Sequence, residues 1–251
     1  MTLPTRQSIP LPLKGEFLDL IHDLLSPSEC QDIIDSHTPD LIALNQTYNP
    51  SLRNNTRCMF NDPALADLLW SRLRPTYDGI TITTQDPIDI GQWTPHALNT
   101  RFRLCRYHPG EYFGPHIDGS RLASINEQSF ITVNIYLNDV PESSGGSTRV
   151  LSDDNDVLYR VQPKRGMASL FRDTLFHDGE ELRAGEKFLL RTDIMFLRSP
   201  EFVFPSITTE NKKSLGELSM RIAEELEAGG NGVEAVEYYR RAYKLCPELE
   251  K

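Results

Sequence analysis

The feature that most constrains this chain is a change of period. From about residue 80 to 198 apolar residues recur at every second position, in short β-branched and aromatic runs separated by turn clusters at His108-Pro109-Gly110, 141–146 and 163–166. Such alternation specifies strands with one apolar and one polar face, and excludes a helical bundle for this stretch. Residues 129–137 show it best: Ile131, Val133, Ile135 and Leu137 point one way, and Thr132, Asn134 and Tyr136 the other. A polar face that includes an aromatic predicts a strand lining a wet cavity inside a barrel.

The flanks read differently. Residues 3–13 carry Pro4, Pro10 and Pro12 and predict an extended lead-in. Residues 16–22 and 26–34 read as helices, the second opening on Ser26 as cap, with Pro27 in the first turn and Glu29 three positions after the cap. A third helix runs from Asp62-Pro63 through Leu65, Leu69 and Leu73, with Pro75 expected to stop it. Residues 1–79 are thus predicted to form a helical support region and 80–198 the β core, which makes the fold class α+β. After Pro205 a polar linker leads to two amphipathic runs, 215–228 and 233–246, joined by Gly229-Gly230-Asn231-Gly232. They predict a C-terminal helical hairpin over 206–251 that resembles one tetratricopeptide-type repeat. A single repeat does not bury its own face, so the hairpin is expected to dock in cis or on a partner chain.

Charge and cysteine usage narrow the classes of function. Of 251 residues, 26 are Lys or Arg and 36 Asp or Glu, a net charge of -10 that argues against nucleic acid or an anionic membrane as partner. A local basic pocket is still allowed. No apolar run approaches the roughly 18–20 residues that span a bilayer, and prolines stand where a secretory signal would be apolar. An intracellular protein, cytoplasmic or nuclear, is expected. Cys30, Cys58, Cys105 and Cys246 stand far apart without a CxxC pair, which predicts reduced, structural thiols.

The chemistry concentrates in residues 103–119. His116 and Asp118 lie two apart, so on an extended segment an imidazole and a carboxylate fall on one side and can share a metal; a second imidazole arrives at His177. Two His and one carboxylate on neighbouring strands leave coordination positions open, as in non-haem Fe(II) oxygenases, with Mn, Co or Ni also compatible. His-x-Asp alone is a weak signal. Downstream, residues 185–196 alternate so that Lys187, Leu189 and Arg191 share a face. A cation reaching into a barrel beside a metal is costly unless it meets an anion, and a carboxylate ligand that also touches the metal accounts for it. A hydrolytic metal enzyme lacks an evident general base here. A non-catalytic adaptor using the barrel and hairpin has no evident reason to keep these charges facing a cavity.

These motifs, in order, resemble the prolyl 4-hydroxylase-like Fe(II)/2-oxoglutarate dioxygenases over residues 16–198: Tyr107-x-Pro109-Gly110, Phe113-x-Pro115-His116-x-Asp118-Gly119, Tyr136-Leu137-Asn138, Gly145-Gly146-Ser147-Thr148, the 163–171 segment with Gly166, and His177-x-Gly179 before Lys187. Asp178 and Ser147 depart from the usual Glu at each place. The resemblance implies a double-stranded β-helix, or jelly roll, in which His116, Asp118 and His177 hold Fe(II). It implies 2-oxoglutarate and O2 as cosubstrates, with ascorbate as a compatible reductant, and succinate, carbon dioxide and a hydroxylated product. Lys187 stands where the family places the cation for the far carboxylate of 2-oxoglutarate, but Arg191 lies on the same face and its planar fork suits a carboxylate better. The sequence leaves that choice open. Tyr136 resembles the tyrosine that supports this carboxylate, and Tyr107 is expected near the metal mouth. The favoured substrate is a prolyl or other protein side chain, with a small metabolite as the alternative. Asn99, Arg103 and Arg57 are candidates for substrate contact. The cluster 53–57 reads as a solvated loop, with a lid as its functional alternative, and His96 and His108 as solvent-facing loop residues.

Overall fold

A computed structural model describes residues 4–44, 49, 51–85 and 90–250. In chain order the described elements are β1 (Thr5–Ile9), β2 (Leu18–His22), α1 (Pro27–His37), β3 (Ile42–Ala43), β4 (Thr56–Asn61), α2 (Pro63–Tyr77), β5 (Ile82–Thr84), β6 (Gly91–Leu98) and β7 (Arg101–Tyr107). There follow β8 (Phe113–His116), β9 (Leu122–Ser124), β10 (Glu127–Tyr136), β11 (Thr148–Leu151), β12 (Val157–Val161), β13 (Ala168–Arg172), β14 (His177–Gly179), β15 (Lys187–Ser199), α3 (Lys212–Ala228) and α4 (Gly232–Leu245). Among the described residues no helix is long and apolar enough to cross a membrane.

The chain divides into two compact units. The larger runs to Thr76 and adds Ala97–Gly119 and Ile131–Ile194; the smaller comprises Tyr77–His96, Ser120–Phe130 and Met195 onward. In the larger unit the strands form two sheets, in the orders β1-β2-β13-β10-β15-β7-β4-β3 and β12-β11-β14-β8. This is the double-stranded β-helix. Register decides which side chains share a face, because a slip of one residue would turn every side chain over. On β15 and β7 it sets Lys187 opposite Tyr107, Leu189 opposite Cys105 and Arg191 opposite Arg103. On β14 and β8 it sets His177 opposite His116. The apolar faces meet in a core that includes Leu18, Leu20, Val150, Val161, Phe171 and Leu175.

Two helical expectations for the first third are corrected. Within 16–22, Leu18–His22 form a strand, β2, paired with β1 on one side and β13 on the other. A short apolar run does not separate a buried strand from a buried helix by period, and here sheet pairing decides. The buried Asp19 is tolerated because it accepts from Ser8 Oγ at 2.6 Å and pairs with Arg6 at 3.0 Å. Pro75 does not stop α2, which continues to Tyr77. So near the helix end, the missing N–H and displaced carbonyl disturb one bond of the ladder. The helix at Ser26 forms as expected: Ser26 Oγ accepts from the Glu29 amide at 3.3 Å, and the Glu29 carboxylate accepts from the Ser26 amide at 2.7 Å. Arg72 on α2 clasps the same carboxylate at 2.6 Å and holds Glu29 down at about 2.

In the smaller unit β5 pairs with β6, and β9 pairs with the first residues of β10. The C-terminal helical hairpin is present as α3 and α4. Ile222, Leu226 and Ala235 of the hairpin bury against Leu122 and Ile125, flanked by Phe202 and Phe204. Asn231 caps α4 by accepting from the Glu234 amide at 3.3 Å, and its side-chain amide donates to the Ala123 carbonyl at 2.8 Å. Gly216 allows close approach within the hairpin, since a Cβ there would stand 2.8 Å from Cys246 Cβ.

Candidate metal centre

The three residues singled out as metal ligands converge. His116, Asp118 and His177 each offer a ligand atom within 4.8 Å of the others. His116 ends β8 and His177 begins β14, so their pairing brings the two rings to a centroid distance of 4.3 Å. The Nδ1 of His116 lies 2.8 Å from the Gly114 carbonyl, and that of His177 lies 2.8 Å from the Leu175 carbonyl. A carbonyl only accepts, so each Nδ1 carries the hydrogen and each Nε2 of a neutral ring keeps its lone pair. Both Nε2 atoms face Asp118, at 3.6 Å for His116 and 3.7 Å for His177. Phe113 stacks on His116 with ring centroids 3.7 Å apart and fixes its plane.

Electrostatics hold these groups in the forms a metal needs. Burial pulls His177 down to about 4, so it is neutral at pH 7. Burial alone would raise Asp118, but Arg191, His177 and His116 outweigh it and keep the carboxyl well below the usual range. Arg191 Nη1 donates to Asp118 Oδ1 at 2.8 Å, and Thr132 Oγ1 donates to Oδ2 at 2.8 Å. Each oxygen retains a lone pair for a cation.

A cavity of about 320 Å³ adjoins the cluster, lined by residues of both sheets. On β15 Lys187, Leu189 and Arg191 all face it, as the alternation predicts, and on β7 Arg103, Cys105 and Tyr107 do. Lys187 is 1% exposed, its Nζ lies 5.0 Å from the Tyr107 ring centre, and no salt bridge reaches it among the described residues. Burial pulls its pKa down to about 8. Arg191, in contrast, is already engaged by Asp118 and by Asp193 Oδ1 at 3.3 Å.

The other expected residues fall in two groups. Tyr107, Arg57 and Arg103 line the cavity. Tyr136 does not: its buried hydroxyl donates to Thr148 Oγ1 at 2.9 Å and meets Ser169 Oγ at 3.0 Å, and Thr148 lines the cavity in its place. Asn99 is buried beside Asp193, Nδ2 to Oδ2 3.5 Å, and does not line the cavity. The solvated-loop expectation for 53–57 is corrected. Arg53 and Asn55 are buried; Arg53 donates to Asn55 Oδ1 at 3.0 and 3.2 Å and lies 4.0 Å above Phe113, because β4 begins at Thr56 and pairs with β7. Asp178 forms a fork-to-fork pair with Arg149, and Ser147 donates to Glu180, so both departures from the usual pattern are satisfied locally. His108 sits near Glu186 and His96 near Glu127, neither of them lining the cavity.

Sequence reasoning did not single out Thr132, Asn134, Thr148 or Asp193. Thr132 and Asn134 carry a readable signal, since both fall on the polar face of β10 that includes Tyr136. Asp193 continues the two-residue series from Lys187 through Arg191. Asn134 is buried and its Oδ1 has no hydrogen-bond partner.

Residues 102–192 match the family described as the 2OG-Fe(II) oxygenase superfamily. Over these residues the chain is similar to the 2-oxoglutarate- and Fe(II)-dependent oxygenases. Within that class it resembles the prolyl 4-hydroxylase-like members, as the ordered motifs indicated. Similar solved structures include the 2-oxoglutarate complex of the viral collagen prolyl hydroxylase from Paramecium Bursaria Chlorella virus-1, 23% identical, TM-score 0.49, covering 72% of this chain and 97% of that one. A Pseudomonas putida prolyl-4-hydroxylase is 15% identical, TM-score 0.49, covering 72% of this chain and 92% of that one. A Trichoplax adhaerens prolyl hydroxylase, in complex with a hypoxia inducible factor peptide fragment, is 14% identical, TM-score 0.52, covering 73% of this chain and 84% of that one. The last supports the fold. No curated protein matches the chain.

The residues present fit the cofactor and cosubstrates of this class. Two imidazoles and one carboxylate form the donor set for Fe(II). The buried Lys187 ammonium, which no salt bridge reaches among the described residues, is what a bound dicarboxylate would complete.

Proposed function

We propose that the chain is an Fe(II)- and 2-oxoglutarate-dependent dioxygenase that hydroxylates an unactivated C–H bond on a prolyl or other protein side chain. The observation that carries this reading is a buried ammonium, Lys187, that no salt bridge reaches among the described residues, in one cavity with His116, Asp118 and His177.

His116 Nε2, His177 Nε2 and Asp118 would hold the metal. When bound, Fe(II) with 2-oxoglutarate and O2 supplies the oxidising chemistry, giving succinate, carbon dioxide and a hydroxylated product. Lys187 takes the far carboxylate of 2-oxoglutarate. Four residues of strand place it about 13 Å from Arg191 along β15, so the two cations serve different ends of the site. Arg191 instead keeps Asp118 ionised and oriented. The Thr148 hydroxyl, which accepts from Tyr136, donates to the carboxylate that Lys187 neutralises, and Tyr136 positions it from behind. Tyr107 closes one wall and keeps water from the Lys187 ammonium.

A protein side chain as substrate rests on analogy with prolyl hydroxylases of the same fold. A small metabolite is the second reading, favoured by a cavity whose 320 Å³ is of small-ligand size. The test is succinate release from 2-oxoglutarate by the Fe(II)-loaded protein, first alone and then with panels of peptides and metabolites. Release above that of His116→Ala, stimulated by one class of compound, is expected. Release no greater than that of His116→Ala under every condition would remove the enzyme reading.

A further inference from the structure

The cavity carries more positive charge than the metal and cosubstrate account for. Arg103 and Arg191 face each other across β7 and β15, an arrangement of like charges that destabilises a sheet unless something compensates. Arg57, on β4 opposite Cys105, lines the same cavity. Among the described residues two carboxylates meet Arg103 and Arg191, namely Asp118 and Asp193. Asp118 is taken by Arg191 and stands ready for the metal, while Asp193 is shared between Arg191 at 3.3 Å and Arg103 at 3.5 Å. Arg103 Nη1 is buried and makes no hydrogen bond among the described residues. Its 3.5 Å approach to Asp193 is a long contact for a guanidinium, whose charge-assisted bonds run to about 2.7–2.9 Å.

We infer that the substrate carries a carboxylate, which Arg103 and Arg57 receive at the cavity wall. This rests on the dioxygenase reading and names its substrate class. Lys187 is reserved for the cosubstrate and Arg191 for Asp118, which leaves Arg103 with donors to spare. A guanidinium presents its donors in a fixed planar fork that matches a carboxylate, so the residue type fits the ligand as well as the charge does. In a chain of net charge -10, a cluster of arginines turned into a cavity selects for an anion that the outer surface would repel. The carboxylate can belong to an Asp or Glu of a peptide or to a small organic acid.

The experiment uses the full chain loaded with Co(II) in place of Fe(II). Binding of 2-oxoglutarate is measured first by calorimetry. Fluorescein-labelled decapeptides containing Glu are then compared by anisotropy with their Gln counterparts, and N-acetylproline with N-acetylprolinamide in competition. The carboxylate form is expected to bind about tenfold or more tightly in at least one arm, which also identifies the source. Arg103→Gln should abolish that preference and Arg103→Lys should recover part of it; Arg57→Gln is the second variant if Arg103→Gln does not fold. Equal binding of acid and amide in both arms, or a preference that survives these substitutions, would overturn the inference. A protein that fails to bind 2-oxoglutarate at all would instead overturn the dioxygenase reading.

Discussion

At the scale of single residues, Lys187 and Arg191 differ in their partners, although the sequence offers them as equals. Both lie on the cavity face of β15, but Arg191 finds Asp118, whereas Lys187 meets no carboxylate among the described residues. Lys187→Ala should raise the 2-oxoglutarate requirement about 10- to 100-fold, the worth of one charge-assisted contact, with metal binding little changed. Arg191→Ala should instead weaken metal binding and cost roughly 3 kcal/mol of stability, because it leaves a buried carboxylate unpaired. Equal effects of the two substitutions on the 2-oxoglutarate requirement would refute the division.

The same lysine gives a pH signature. Burial pulls Lys187 down to about 8 from 10.5, so between these values the unfolded chain holds a proton that the folded chain has shed. Stability of the cosubstrate-free protein should therefore rise with pH across that window, and the full cost of burying the charge is present below pH 8. Lys187→Met should be more stable than wild type at pH 7 by roughly 1–3 kcal/mol and should lack the rise. Affinity for 2-oxoglutarate should fall as pH climbs through about 8, because the ammonium that meets it loses its proton. Denaturant melts and calorimetry across pH 6–10 check both signs.

At the scale of elements, what could be read depended on whether a local signal was decisive. The Ser26 to Glu29 capping box was legible because its chemistry is contained within four residues. Breaking it with Ser26→Ala should cost about 1 kcal/mol in a denaturant melt, and an unchanged midpoint would show that α1 is held by packing alone. β15 and β10 were legible through alternation, which on β15 also picked out the residues that face the cavity. β2 was not, since four of its five residues are buried and its strand character comes from β1 and β13 on either side. Arg53 and Asn55 were misread for a related reason: burial of a polar cluster depends on what folds over it. In the hairpin, Gly216→Ala sets a gain in helix propensity of about 1 kcal/mol against a Cβ 2.8 Å from Cys246 Cβ. The clash should win and lower the melting temperature; a rise would show that the C-terminal segment yields.

At the scale of the whole molecule, the two-residue period from 80 to 198 and the ordered His116, Asp118, His177 and Lys187 carried the fold class and the candidate metal cluster. The sequence could not show which carboxylates the cavity arginines already own. That depends on Asp118, just after β8, and Asp193, on β15, approaching from different segments. Nor could it show that Tyr136 acts one residue removed from the cavity, through Thr148. The net charge of -10 described the whole chain and hid a cavity lined by Arg57, Arg103, Lys187 and Arg191.

The central claim is that one cavity binds Fe(II) on His116, Asp118 and His177 and 2-oxoglutarate on Lys187. Anaerobic titration of 2-oxoglutarate into the Fe(II)-loaded protein, followed by visible absorption, tests it most directly. A weak charge-transfer band that saturates in wild type, is lost in His116→Ala and needs much more 2-oxoglutarate in Lys187→Ala is the expected result. A metal-loaded wild-type protein that shows no band, or one that Lys187→Ala leaves at the same half-saturation, would contradict it.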